Sequence, residues 1–155
     1  MIKCFFGLII MLLISMPAKA GGCYTLSEAE AEQGIRIQSE LMVIGLNCQH
    51  KIDDIYVKYR QMANSNSQLF ETYNKIMMDH FKKSGISNFE KEINSMRTSY
   101  ANKISEIAAE LRPDVFCSKY APRIERASIM KRDEIRRWAT TFFPSHPVSK
   151  PICES

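Results

Sequence analysis

The chain has 155 residues, of which 45% are hydrophobic and 25% charged, with six glycines and six prolines. This is enough for one globular domain, and it excludes disorder, collagen-like repeats and low-complexity tails as the main content. The formal net charge is +4, and 19 basic against 17 acidic residues remain without Lys3 and Lys19 of the leader segment. A balance this close to neutral argues against a dedicated nucleic-acid binder.

Residues 1–20 are predicted to be a secretory signal peptide. Lys3 gives a positive start, residues 4–16 are apolar without a charge, and small residues precede a cleavage site after Ala20. The apolar run is too short for a transmembrane helix, which takes about 20 apolar residues, and no later segment approaches that length. The sequence therefore predicts a periplasmic or secreted protein with no transmembrane segment.

Cleavage before Cys23, followed by lipidation of its sulfur as in bacterial lipoproteins, is an alternative. The large aliphatic residue usual three positions before such a cysteine is missing, because Ala20 stands there. The apolar run also ends well upstream, at Met16. We therefore expect cleavage after Ala20 and no lipid.

The mature chain keeps four cysteines, Cys23, Cys48, Cys117 and Cys153. An even number in an oxidising compartment predicts disulfides, and three pairings are possible. We favour Cys48–Cys117, which ties two predicted helices, and Cys23–Cys153, which joins the chain ends. The gaps of 25, 69 and 36 residues lack the close ligand pairs typical of a metal site.

Every segment after Tyr24 has helical rather than strand periodicity. Ser27 and Glu30 are predicted to form a capping box that opens the first helix, which runs to about residue 48. Gly34 and Gly45 lie three turns apart on one face of this helix, which favours close approach of a neighbouring helix. Further helices are predicted over residues 52–62, 67–83, 88–111 and 115–143.

Three details of the later helices follow from individual residues. Ser87 and Glu90 are predicted to cap the fourth helix, and Pro113 to end it. The fifth helix is expected to bend near Pro122, because proline cannot continue the hydrogen-bond ladder.

The expected fold is therefore a compact all-α bundle of four to five helices, stapled by disulfides. It forms a single domain over residues 21–155. Residues 144–155 contain three prolines and are predicted to be an extended tail.

Known catalytic and cofactor motifs are missing from the sequence. It contains no Gly-rich phosphate loop, no H-E-x-x-H, no G-x-S-x-G and no C-x-x-C-H haem attachment. We therefore expect a binding or interaction protein rather than an enzyme, with no catalytic residue and no cofactor.

Copper binding is the alternative function. Met77 and His80 are three residues apart on a helix and can face the same way, and thioether sulfur is a ligand that suits Cu(I). Core packing explains both residues better, because the methionines of the mature chain are spread over most of the helices. No metal site is therefore expected.

The last predicted helix is strongly basic. Nine basic and five acidic residues follow from Leu111 onward, against ten and twelve from Gly21 to Glu110. Such a stretch could contact an anionic lipid surface, a cell-wall polymer or an acidic protein. The alternative is a solvated face with Trp138 in the core. The candidate contact surface consists of Arg126, Lys131, Arg132, Arg136, Arg137 and Trp138.

Four short segments resemble a set of small secreted bacterial proteins. They are E-L-M-V-I-G-L-N-C at residues 40–48, Tyr59-Arg60, Tyr100-Ala101-Asn102 and Phe116-Cys117. In that set an E-L-M-V-x-x-L-x-C segment precedes a central Y-R and a second cysteine. The resemblance spans about residues 26–120, supports the Cys48–Cys117 pairing and implies no activity, cofactor or catalytic residue.

Overall fold

A computed structural model describes residues 22–154. The predicted signal peptide and its cleavage site therefore lie outside the described residues. Within them the fold is an all-helical bundle without strands, as predicted, apart from one isolated bridge between Tyr24 and Ile152. The helices are α1 (Leu26–Cys48), α2 (Ile55–Ser65), α3 (Ser67–Lys83), α4 (Phe89–Glu110), α5 (Pro113–Ser128) and α6 (Arg132–Thr140).

Helix α1 forms the centre of the bundle, because each of the other five helices contacts it. Most of its residues are buried, and Leu26, Met42, Leu46 and Asn47 are among those left exposed. Among its buried residues are the charged side chains of Glu30, Glu32, Arg36 and Glu40. The structure therefore requires partners for several ionised groups inside the bundle.

The capping box of α1 differs from the predicted one. Thr25 is the N-cap, and its Oγ1 accepts a hydrogen bond from the backbone N–H of Glu28 at 3.2 Å. The Glu28 carboxylate in turn accepts from the Thr25 N–H at 2.8 Å. The prediction of Ser27 and Glu30 was wrong because the same spacing occurs two residues earlier, and Glu30 is engaged inside the bundle instead.

Helix α2 begins three residues later than predicted. Asp54, immediately before it, has a φ of 58°, a left-handed conformation that a helix starting at residue 52 cannot contain. The break between α2 and α3 is a single residue, Asn66, whose side chain donates to the Met62 carbonyl at 3.0 Å. Helix α3 has the predicted bounds.

Helix α4 ends one residue before its predicted end, and its cap is Asn88 rather than Ser87. The Asn88 side chain accepts a hydrogen bond from the N–H of Lys91 at 3.1 Å. Pro113 is the first residue of α5, a position where its missing N–H is not needed.

The single last helix predicted over residues 115–143 is two helices. The chain breaks at residues 129–131, where Lys131 is extended with a ψ of 167°, and not near Pro122, which lies inside α5. The break lets α6 turn Ile135 and Ala139 inward, and both are fully buried.

Both favoured disulfides are present. Cys23 and Cys153 have Cα atoms 5.1 Å apart, and Cys48 joins the end of α1 to Cys117 in α5 with a Cα separation of 5.6 Å. Disulfides are compatible with an oxidising compartment. None of the helices among residues 22–154 is long and apolar enough to cross a membrane.

The segment after α6 contains no helix up to residue 154 and lies back against the start of α1. Tyr24 donates its N–H to the Pro151 carbonyl and accepts from the Cys153 N–H, both at 2.8 Å. The buried Glu32 carboxylate accepts from the N–H of Ser149 at 2.8 Å and also from its hydroxyl. Residues 149–153 are therefore held by polar contacts as well as by the disulfide.

Candidate functional site

A cleft of about 670 Å³ opens between α1, α5, α6 and the segment that follows α6. Its volume lies within the range of small-molecule sites, roughly 300–1,000 Å³. Its wall combines guanidinium groups with aromatic and aliphatic side chains. The residues of the wall are Gln33, Arg36, Ile37, Glu40, Tyr120, Arg123, Arg126, Met130, Glu134, Arg137, Trp138, Thr141, Phe143, Ser145 and His146.

Helix α1 contributes a buried ion-pair network to this wall. Arg36 Nε donates to Glu40 Oε1 at 2.9 Å, and Arg123 Nη2 of α5 donates to Glu40 Oε2 at 2.7 Å. Both oxygens of one carboxylate are therefore occupied by arginines from two helices. This shared carboxylate holds α5 against α1 and fixes the inner end of the cleft.

The two other arginines of the cleft wall are exposed. Arg126 lies on α5 and Arg137 on α6, and neither forms an ion pair within residues 22–154. The second carboxylate of the wall, Glu134, accepts from the Lys131 N–H at 2.8 Å at the start of α6. The cleft therefore carries four guanidinium groups and two carboxylates, both already engaged.

The apolar part of the wall comes from α6 and the segment after it. Trp138 is half-buried, and the guanidinium carbon of Arg123 lies 5.9 Å from its ring centroid. Phe143 is 48% exposed. The cleft therefore presents apolar surface to solvent beside its positive charges.

His146 closes one side of the cleft. Burial lowers the pKa of His146 below its usual value, the positive charges of Arg36 and Arg123 lower it further, and Glu40 opposes them. The carbonyl of His146 accepts a hydrogen bond from the Gln33 side chain at 3.1 Å. The segment after α6 is thereby held to α1 at the cleft as well as at the chain ends.

The structure places the six residues of the predicted contact surface in three different settings. Arg126, Arg137 and Trp138 line the cleft. Arg136 instead pairs with the buried carboxylate of Glu30, through Nε–Oε1 and Nη2–Oε2 distances of 2.8 and 3.2 Å. The other two members of the surface, Lys131 and Arg132, are exposed outside the cleft at the start of α6.

Met77 and His80 are both buried in the bundle. The Lys150 ammonium, which can only donate, lies 2.9 Å from His80 Nε2, and His80 Nδ1 lies 2.9 Å from Glu28 Oε1. Both ring nitrogens therefore have partners within the protein. Among residues 22–154 no group of three or more His, Cys, Asp or Glu side chains is arranged to hold a metal ion.

Comparison with protein-family models, with curated proteins and with solved structures finds no match for this chain.

Proposed function

We propose that this protein binds a small ligand in the cleft between α1, α5 and α6. The observation that carries the proposal is the combination, in one cleft, of an exposed apolar wall and two arginines that have no ion-pair partner among residues 22–154. Partly buried concave surface with a few convergent polar groups is typical of ligand sites.

Binding rather than catalysis suits the chemistry of the wall. Guanidinium groups stay protonated at any physiological pH, so they attract anions but do not transfer protons. The two carboxylates are each engaged in hydrogen bonds, as described above, and burial lowers the pKa of His146, so its ring is harder to protonate than a free imidazole.

The protein works in the periplasm or outside the cell, after cleavage of its signal peptide behind Ala20. Two disulfides support this location, since such bonds persist in oxidising compartments. The Cys23–Cys153 bond also argues against the lipoprotein alternative, because a sulfur in a disulfide cannot carry a lipid.

Intact mass of the exported protein tests the location. We expect a chain that starts at Gly21, with four cysteines that react with an alkylating reagent only after reduction. A chain that starts at Cys23 with added acyl groups would contradict both the cleavage site and the disulfide at that cysteine.

A neutral apolar dye tests the binding site without any bias from charge. Trp138 is the only tryptophan of the chain and lies in the cleft wall, so its emission should transfer to bound N-phenyl-1-naphthylamine. We expect saturable binding that Ser145→Phe, a substitution within the cleft wall, reduces strongly. The control is Ser118→Phe, an exposed position of α5 outside the cleft. Absence of saturable transfer, or equal loss in both variants, would reject the cleft as a ligand site.

A further inference from the structure

Arg36 is the most deeply placed arginine of the cleft wall. Its side chain is 9% exposed, and its Nη1 is buried without a hydrogen-bond partner within residues 22–154. A buried donor that lacks an acceptor destabilises a protein. The guanidinium carbon of Arg36 lies 5.1 Å from the centroid of the Tyr100 ring. Arg36 is therefore held inside the bundle, and it contributes its positive charge to the inner end of the cleft rather than a donor that a ligand reaches.

The charges of the cleft wall select the charge of a ligand. Glu40 is shared between Arg36 and Arg123. Its single negative charge balances only one of these two positive charges. Arg126 and Arg137 add two more without an ion-pair partner in the described part of the chain. With Glu134 as the second carboxylate, the wall has four positive and two negative side chains. Its net positive charge favours an anion and disfavours a cation.

The part of the wall next to these charges is apolar. Phe143, Trp138 and Met130 lie beside the guanidinium groups and are only partly buried. An inorganic anion would use the arginines and leave this surface in water. A ligand that covers both must carry an apolar body behind its charged group.

We propose that the cleft binds an amphiphilic organic anion, with its charged group at Arg126 and Arg137 and its apolar body against Trp138 and Phe143. This inference rests on the proposed function and names the class of ligand. A fatty acid and a monoalkyl phosphate share this chemistry, and the experiment distinguishes them.

Titrations followed by Trp138 emission test the inference. The ligands are dodecanoate, dodecyl phosphate and dodecyltrimethylammonium, which have the same chain length, each used below its micelle concentration, and acetate as a head group without a chain. We expect the two anionic amphiphiles to bind at least tenfold more tightly than the cationic one. Acetate should show no saturable binding. The tighter of the two anions identifies carboxylate or phosphate as the preferred head.

Variants then connect the binding to the arginines. Arg126 and Arg137 are exposed, so Arg126→Gln and Arg137→Gln should fold normally, whereas substitution of the buried Arg36 would leave Glu40 short of a partner. We expect each variant to weaken the better anion about tenfold and to bind dodecyltrimethylammonium at least as tightly as the unmodified protein does. The control is Arg132→Gln, which removes an exposed arginine of α6 outside the cleft and should have no effect.

The experiments can reject the ligand class without rejecting the cleft as a ligand site. Equal affinity for the anionic and cationic amphiphiles would overturn the anion preference, while saturable binding of the neutral dye would still support the cleft. Tight anion binding that survives in the Arg126→Gln/Arg137→Gln double variant would overturn the assigned site. If neither the dye nor any amphiphile binds, both the ligand class and the proposed function are wrong.

Discussion

The ring of Tyr73 on α3 lies against the backbone of Gly34 on α1, in the space that a Cβ at position 34 would occupy. The Tyr73 hydroxyl donates to the buried Glu30 carboxylate at 2.9 Å. The absence of a side chain at Gly34 therefore determines where the ring lies and lets its hydroxyl reach a charge inside the bundle.

Gly34→Ala should destabilise the protein by about 1–3 kcal/mol, because the ring has to move within a packed interface. Gly45→Ala is the matched control on the same helix. Its Cβ would lie 3.2 Å from Tyr56 Cδ2, and Tyr56 is only half-buried and can adjust. Urea unfolding compares the two variants, and equal stability would contradict the close approach at Gly34.

The Arg136–Glu30 pair should make stability depend on pH. Hydrogen bonding from Arg136, opposed by burial and aided by Tyr73, lowers the pKa of Glu30 below its usual 4.5. The pair therefore stabilises the fold fully above about pH 4.5, and this contribution is lost as the pH falls through the lower pKa of the folded state.

Arg136→Gln should cost about 1–3 kcal/mol at pH 7, the usual value of a hydrogen bond to a charged group, and much less at pH 3. Arg132→Gln removes an exposed arginine of the same helix and should be neutral at both pH values. Unfolding curves at the two pH values provide the measurement. If Arg136→Gln loses as much unfolding free energy at pH 3 as at pH 7, the interaction with ionised Glu30 is contradicted.

Glu32 is expected to hold the segment after α6 independently of the disulfide. Its carboxylate accepts two hydrogen bonds from Ser149, and Glu32→Gln replaces one acceptor oxygen by a donor nitrogen. Hydrogen exchange of the Ser149 amide should become at least tenfold faster in this variant. Glu106→Gln, at an exposed position of α4, should leave the Ser149 amide unchanged. Unaltered exchange in Glu32→Gln would mean that the disulfide alone fixes this segment.

His146 should make anion binding sensitive to pH. Its lowered pKa keeps it uncharged at neutral pH, and protonation in acid adds a positive charge beside Arg36 and Arg123. Decanesulfonate, whose head does not titrate, should therefore bind more tightly as the pH falls through the pKa of His146, which lies below its usual value of 6.5. His146→Asn should lose this dependence. A dependence that persists in the variant would assign it to another group.

Helices α3 and α4 were predictable because each keeps one apolar face for its whole length, and polar residues or Gly85 mark their ends. The break between α5 and α6 was not predictable, since residues 129–131 contain neither glycine nor proline. Pro122, the obvious helix breaker, is accommodated at an exposed position inside α5. Proline, the strongest helix-breaking residue in this part of the sequence, therefore does not mark the end of the helix.

The cleft was predictable only on one side. The basic and aromatic residues of the last helix indicated a contact surface, and Arg126, Arg137 and Trp138 do line the cleft. The opposite wall depends on Arg36 and Glu40, which are charged residues that normally face water. Their burial follows from the central position of α1, which hydrophobic periodicity does not reveal.

The Cys23–Cys153 bond gives the protein an unusual mechanical property. When the chain is pulled from points before Cys23 and after Cys153, the force passes directly between the two cysteines through the S–S bond. The helices between them therefore carry none of the force. Pulled in this way, the oxidised protein should extend only after the bond is reduced. For the same reason one backbone cut between the two cysteines leaves a single covalent molecule, so a nick by an extracellular protease would not by itself release a fragment.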